Sequence, residues 1–202
     1  MRGDPPIRVH VTTPFLAGLC LFCFLDQWGL LLPLSLAITL HELGHLAALR
    51  ACRVKIYGLS LGLGGAVIRA ELPGGWKELI CVLAGPAVNL VFWLLPLPGH
   101  GLFRLCHLGL LAYNVLPIDG LDGGRAAKLI FTALWHTRGL LMFRLLNVFT
   151  VTMLVSLGVL GTCRFHLGLL PGCMAGFFLL RMPNMPLSND GLAGTINTIK
   201  HK

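Results

Sequence analysis

Residues 41–45 read His41-Glu42-Leu43-Gly44-His45 inside an otherwise apolar stretch. On a helix, residues four apart share one face, so both imidazoles can hold a single metal ion. The glutamate beside the first histidine can act as general base toward a water that the ion activates. The chemistry such a group performs is metal-assisted hydrolysis. Ionisable side chains in a membrane-length apolar segment are costly and mark function. Three of them within five positions need a compensating interaction, which a metal ion provides. The competing reading is an interfacial cluster whose imidazoles snorkel at a helix end. It leaves Glu42 and the four-residue spacing unexplained.

A catalytic zinc takes three protein ligands and keeps one position open. The third ligand must come from outside the motif. Asp119 and Asp122 both qualify, because they close the apolar run 108–118 on the same expected face. Gly123-Gly124 after Asp122 allow a sharp backbone turn. By pattern alone the two aspartates stand level. Two histidines and one carboxylate with an open position suit zinc, and one Zn2+ per chain is expected.

The elements that must position these groups are membrane helices. The chain has 202 residues, 55% hydrophobic and only 12% charged, with a mean hydropathy of +0.79. A soluble domain has about 25% charged residues. Six apolar segments stand out, at about 13–25, 28–49, 78–97, 102–118, 140–160 and 165–181. The expected fold is an all-α polytopic membrane protein of six spans, at about 20 residues each. Of the 16 lysines and arginines, only Arg104 and Arg164 fall on one side of this layout. The others gather at the N-terminus, in 50–77, in 125–144 and in the tail. By the positive-inside rule that side is cytoplasmic. Both termini then lie in the cytoplasm, and the motif sits near the cytoplasmic face of the cell membrane. The same asymmetry accounts for the net charge of +8 without a nucleic-acid partner. The seven cysteines lie mostly in apolar runs. Their odd number is no disulfide framework, and Cys20-x-x-Cys23 reads as small packing residues.

Residues 54–71 alternate partly around Gly64-Gly65, which signals a β-hairpin at the cytoplasmic membrane surface; the plainer reading is an irregular apolar loop. A hairpin would offer an edge on which an extended substrate adds as a further strand, with Gly64 and Gly65 at its turn. Residues 1–182 are expected to form one intramembrane domain and 183–202 a flexible cytoplasmic tail.

Three stretches resemble the site-2 protease family of intramembrane metalloproteases. They are His41-Glu42-Leu43-Gly44-His45, then Gly85-Pro86-Ala87-Val88-Asn89, then Asn114-Val115-Leu116-Pro117 leading to Asp122-Gly123-Gly124-Arg125. They match the family's H-E-x-x-H, G-P-x-x-N and N-x-x-P-x-x-x-x-D-G elements in order and spacing. The resemblance implies that Asp122 is the third zinc ligand and Glu42 the base. It implies that Asn114 contacts the substrate backbone or the developing oxyanion, and that Asn89 has a structural or substrate-positioning role. Asp119 departs from what many members carry there. The segment from Arg8-Val9-His10 to Pro14-Phe15 and the compact plan resemble the sporulation branch, whose members cleave a membrane-associated pro-sigma factor. The nucleotide-sensing domain common in that branch is absent after the sixth segment, so regulation by ATP through it is not expected.

The partners expected are a membrane or membrane-associated protein substrate, the lipid bilayer and a membrane-embedded regulator. Two rival readings use the same ligands: a metal-binding transporter or sensor, and an inactive pseudoprotease that binds membrane partners. Transport would spread polar groups along several spans, whereas here they gather at one depth. An intact Glu42 argues against the pseudoprotease.

Overall fold

A computed structural model describes residues 8–26, 28–62, 65–96 and 101–165. The expected tail, Gly64 and nearly all of the sixth apolar segment lie outside them. The chain divides into two compact units, Met1–Leu146 and Asn147–Lys202. The described part of the second is the last stretch of helix α5.

In the first unit, strand β1 (Arg8–Val11) leads into helix α1 (Thr13–Leu25), with proline in its first turn. Proline suits that place, because the N–H it lacks would have no helical partner. Asp26 then organises the start of α2 (Leu31–Ala51). Its carboxylate accepts the backbone N–H groups of Leu30 at 2.8 Å and Leu31 at 2.9 Å. These are otherwise orphan donors, and an anion at a helix N-terminus is favourable.

The expected hairpin forms as β2 (Ile56–Gly62) and β3 (Gly65–Ala70), paired antiparallel. Tyr57 lies at a register irregularity, and its hydroxyl donates to Glu71 at 2.8 Å. That bond to a carboxylate pushes the Tyr57 phenol up. The element is larger than a hairpin, because β1 pairs in parallel with β2, with Val9 opposite Leu59. In the order β1-β2-β3 both edges of β2 are paired. Among the described residues, the open edges belong to β1 and β3.

Helices α3 (Gly75–Leu94) and α4 (Gly101–Val115) complete a packed trio with α2, each in contact with the other two. The α2–α3 crossing is close at Gly44. A Cβ there would lie 2.8 Å from Val88 Cγ2 and 2.9 Å from the Ala84 carbonyl oxygen. α4 stops before Pro117, which disfavours helix in the residue ahead of it.

Helix α5 runs from Asp122 to Phe165, broken at His136 (φ 50°, ψ −120°). This differs from the cytoplasmic loop expected over 125–144. Arg125 and Lys128 suggest a loop, yet they are the exposed side of a helix whose Ala126 is buried. Ala, Lys and Leu favour helix through this stretch.

Three described helices are long and apolar enough to cross a membrane: α2, α3 and the stretch Asp122–Arg164. Their most apolar windows are only 11%, 28% and 17% buried within the protein. Such surface requires lipid, so this is a multi-pass membrane protein. α1 and α4, with 13 and 15 residues, are shorter than the spans expected there.

Candidate metal centre

The stripe Ala37, His41, His45 runs along α2 at four-residue spacing toward its packed face, with Ala37 and His41 buried. Asp122 arrives from the far side as the first residue of α5. Its placement depends on the turn after α4. Leu121 N–H donates to the Ile118 carbonyl at 3.0 Å, and both side chains are buried. Gly120 has φ +89°, a conformation few residues other than glycine adopt. Gly123 and Gly124 lie against the backbone of residues 115–118, where a side chain would collide.

The outcome is a triangle of ligand atoms. His41 Nε2 and His45 Nε2 are 3.1 Å apart, and Asp122 Oδ2 is 3.1 Å from each. A tetrahedral ion with bonds of about 2.0–2.1 Å sets neighbouring ligand atoms roughly 3.3–3.4 Å apart. The triangle is within a few tenths of an ångström of that, so these residues fit zinc. Among the described residues, His41, His45 and Asp122 are the group of three placed to hold a metal. The structure brings Asp122, and not Asp119, to the two histidines. Glu42, half-buried, is within electrostatic reach of all three.

Outer groups orient the imidazoles. His45 Nδ1–H donates to the Cys81 carbonyl oxygen at 2.8 Å, which leaves its Nε2 lone pair aimed into the triangle. Pro86 lacks the N–H that would bond the neighbouring Val82 carbonyl, so this turn of α3 is already short of one helical bond. Gly85 supplies the space. A Cβ there would sit 2.7 Å from His41 Cε1 and 2.7 Å from His45 Cε1, and nearer still to His45 Nε2.

The remaining sequence candidates fall in different places. Asn89 is fully buried, with its amide nitrogen 2.9 Å from His41 Nδ1. It touches a candidate ligand directly, at the outer side of the triangle. Asn114 donates to the Leu110 carbonyl of its own helix at 3.1 Å. The turn expected at Gly64-Gly65 is described only from Gly65, the first residue of β3. A cavity of about 540 Å³ is lined by Leu108, Leu111, Ala112, Val115, Leu116 and Pro117. It is an apolar groove that none of the triangle's residues lines.

His107 escaped the sequence reading. It is fully buried, and its Nδ1 is 2.9 Å from Asn89 Oδ1. Phe92 stacks on its ring at 5.0 Å, and Phe103 meets it edge-on at 4.4 Å. An ionisable ring inside an apolar segment was the available signal.

No protein-family model matches the chain. It is 32% identical over 128 residues to a Synechocystis protein whose name assigns it provisionally to the zinc metalloproteases. That match covers 55% of this chain and 33% of the relative. It is 29% identical over 146 residues to a zinc metalloprotease of Methanocaldococcus jannaschii, covering 63% of this chain and 43% of that protein. The chain therefore spans less than half the length of these relatives. Among solved structures it superposes on a site-2 protease from Methanocaldococcus jannaschii with a TM-score of 0.59. That alignment has 19% identity and covers 94% of this chain and 97% of the other. The fold is thus that of a site-2 protease, and the comparisons bear out the resemblance carried by the three motifs.

Proposed function

We propose that the chain is an intramembrane zinc metalloprotease of the site-2 type that hydrolyses peptide bonds of membrane or membrane-associated proteins. The observation that carries this reading is the triangle of His41 Nε2, His45 Nε2 and Asp122 Oδ2 beside Glu42. His41, His45 and Asp122 hold one zinc ion per chain. Zinc, when bound, supplies the Lewis acidity that activates water and polarises the scissile carbonyl. Glu42 accepts a proton from the attacking water and passes it to the leaving amine. Asn114 gives up its bond to the Leu110 carbonyl and turns its amide to the substrate backbone.

A peptide bond in a helix has its carbonyl engaged, so the substrate must be extended at the site. The open edge of β3 suits such a segment, which would add as a further strand. The centre is proposed to lie near the cytoplasmic face of the cell membrane with both termini on that side, a reading supported by the basic residues at the N-terminus and in 50–77. Within the first unit, the buried polar side chains His41, Asn89 and His107 form one connected cluster. A transport path would instead string such groups through the bilayer. Release of a sigma factor from its precursor during sporulation is the narrower form of this proposal, supported by the early segment beginning at Arg8, and regulation would then come from a membrane-embedded partner.

The test is purified protein in detergent, analysed for zinc and for cleavage of membrane-protein substrates. Bound zinc with cleavage that Glu42→Gln abolishes supports the reading. Zinc-dependent metal flux in proteoliposomes, with no cleavage, would replace it by a transporter.

A further inference from the structure

One end of the α2–α3 pair carries charge and apolar surface that the metal centre does not use. The two helices run antiparallel. From His41 to His45 along α2, the α3 partner steps back from Asn89 to Cys81. Arg50 lies five residues beyond His45 and Lys77 four before Cys81, about 7.5 Å and 6 Å along their axes. These two cations therefore stand at one level. The chain then turns back tightly. Arg53 N–H donates to the Arg50 carbonyl and Val54 N–H to the Leu49 carbonyl, each at 2.9 Å. This turn keeps Arg53 and Lys55 at the same end. All four cations are exposed. Between residues 50 and 78 there are five cations and two acids, so the surface is positive. Of the acids, Glu71 accepts the Tyr57 hydroxyl and Glu78 is half-buried.

Two placements are unfavourable without an outside partner. Arg53 has φ +57° at the position after the helix where this pair of bonds ordinarily takes glycine. A cation there and at Arg50 complements the C-terminal end of the α2 dipole. The dipole gives no such account of Lys77, which stands in the first turn of α3, where a cation is disfavoured. Beside it Trp76 is 79% exposed. Ile80 and Leu83, four and seven residues on, are exposed as well and continue one face of the helix. Cations above an apolar stripe, with an indole at the boundary, match a phospholipid from phosphate to acyl chain.

We propose that this end of the α2–α3 pair binds anionic phospholipid, with Arg50, Arg53, Lys55 and Lys77 on the headgroup phosphate and Trp76, Ile80 and Leu83 along the acyl chains. An acidic polypeptide would suit the cations but leave the stripe beneath them unused. The inference rests on α3 as a membrane-spanning helix and is independent of zinc. It also bears on the sheet. The Lys55 carbonyl accepts Glu71 N–H at 3.1 Å, where β2 begins and β3 ends. A headgroup held at Lys55 therefore seats that end of the hairpin against the bilayer surface.

The experiment is native mass spectrometry of the full chain released from detergent micelles and titrated with phosphatidylglycerol or phosphatidylcholine. The wild type should bind phosphatidylglycerol roughly tenfold more tightly or better, since each basic residue at an anionic surface contributes about fivefold. Arg53→Gly should weaken that binding about fivefold, while its melting temperature holds or rises because glycine suits the conformation. Lys55→Gln combined with Lys77→Gln should weaken it further, without touching the helix end, and leave phosphatidylcholine binding unchanged. Lys128→Gln in α5 is the control and should bind as the wild type does. Equal affinity for the two lipids overturns the proposal, as does wild-type phosphatidylglycerol affinity in both variants. Equal weakening by Lys128→Gln would reduce the effect to net charge and overturn it too. A poly-glutamate peptide that binds where phosphatidylglycerol does not would give the surface to an acidic protein segment instead. Zinc content of the same samples separates the readings: a chain that binds phosphatidylglycerol but no zinc keeps this inference and loses the protease.

Discussion

Gly85→Ala puts one methyl group into the metal centre. The new Cβ would lie 2.7 Å from His41 Cε1 and His45 Cε1, whereas ordinary contact begins at 3.4 Å. Something must yield by about 0.7 Å or more, because packed interiors hold little free space. α3 has little room to retreat relative to α2, since Gly44 already lies against Val88 and Ala84. The imidazoles must move instead, and metal–ligand distances tolerate only about ±0.2 Å. Zinc binding should weaken a hundredfold or more, beyond the tenfold to hundredfold typical of outer-shell changes. The fold should survive, because alanine is favoured over glycine in a helix by about 1 kcal/mol. The assay is zinc affinity by chelator competition in detergent, beside helix content and melting temperature by circular dichroism. Gly109→Ala in α4 is the control, since nothing lies within 4 Å of its added Cβ. Wild-type zinc affinity in Gly85→Ala would refute the reasoning. Unfolding of Gly85→Ala would make Gly85 a packing residue only.

Other consequences can be checked in the same preparation. Asp122→Ala should lose zinc at concentrations that saturate Asp119→Ala; the reverse order would exchange their roles. Gly44→Ala should lower the stability of the α2–α3 pair by about 1–3 kcal/mol through overpacking, read as a lower melting temperature. A strong chelator should abolish cleavage, and Zn2+ should restore it, because the metal supplies the Lewis acidity. A proline in β3 should reduce cleavage of a membrane substrate while zinc content stays at the wild-type level. Loss of both would mean that the sheet only supports the fold.

The residues that sequence reading located are those whose geometry is local. His41 and His45 needed only a helix to meet. Asp122 and Asp119 were level by pattern, because the choice between them is made by the left-handed turn at Gly120 and the burial of Ile118 and Leu121. The motif resemblance, not periodicity, pointed to Asp122. β1 was invisible because a parallel pairing of Arg8 with Gly58 is set by distant contacts. The first part of α5 looked like a basic loop because Arg125 and Lys128 outweighed the helix-forming residues between them. His107 carried no motif, and its place in the buried cluster appears only when Asn89 stands between it and His41.

The most direct test compares protein N-termini in membranes from cells carrying the wild-type chain and cells carrying Glu42→Gln, at matched expression and matched zinc content. The account predicts new N-termini within membrane-associated proteins in the wild type alone, because Glu42 moves the proton while His41, His45 and Asp122 hold the metal. Identical N-termini in the two strains across growth conditions, with zinc bound in both, would contradict it.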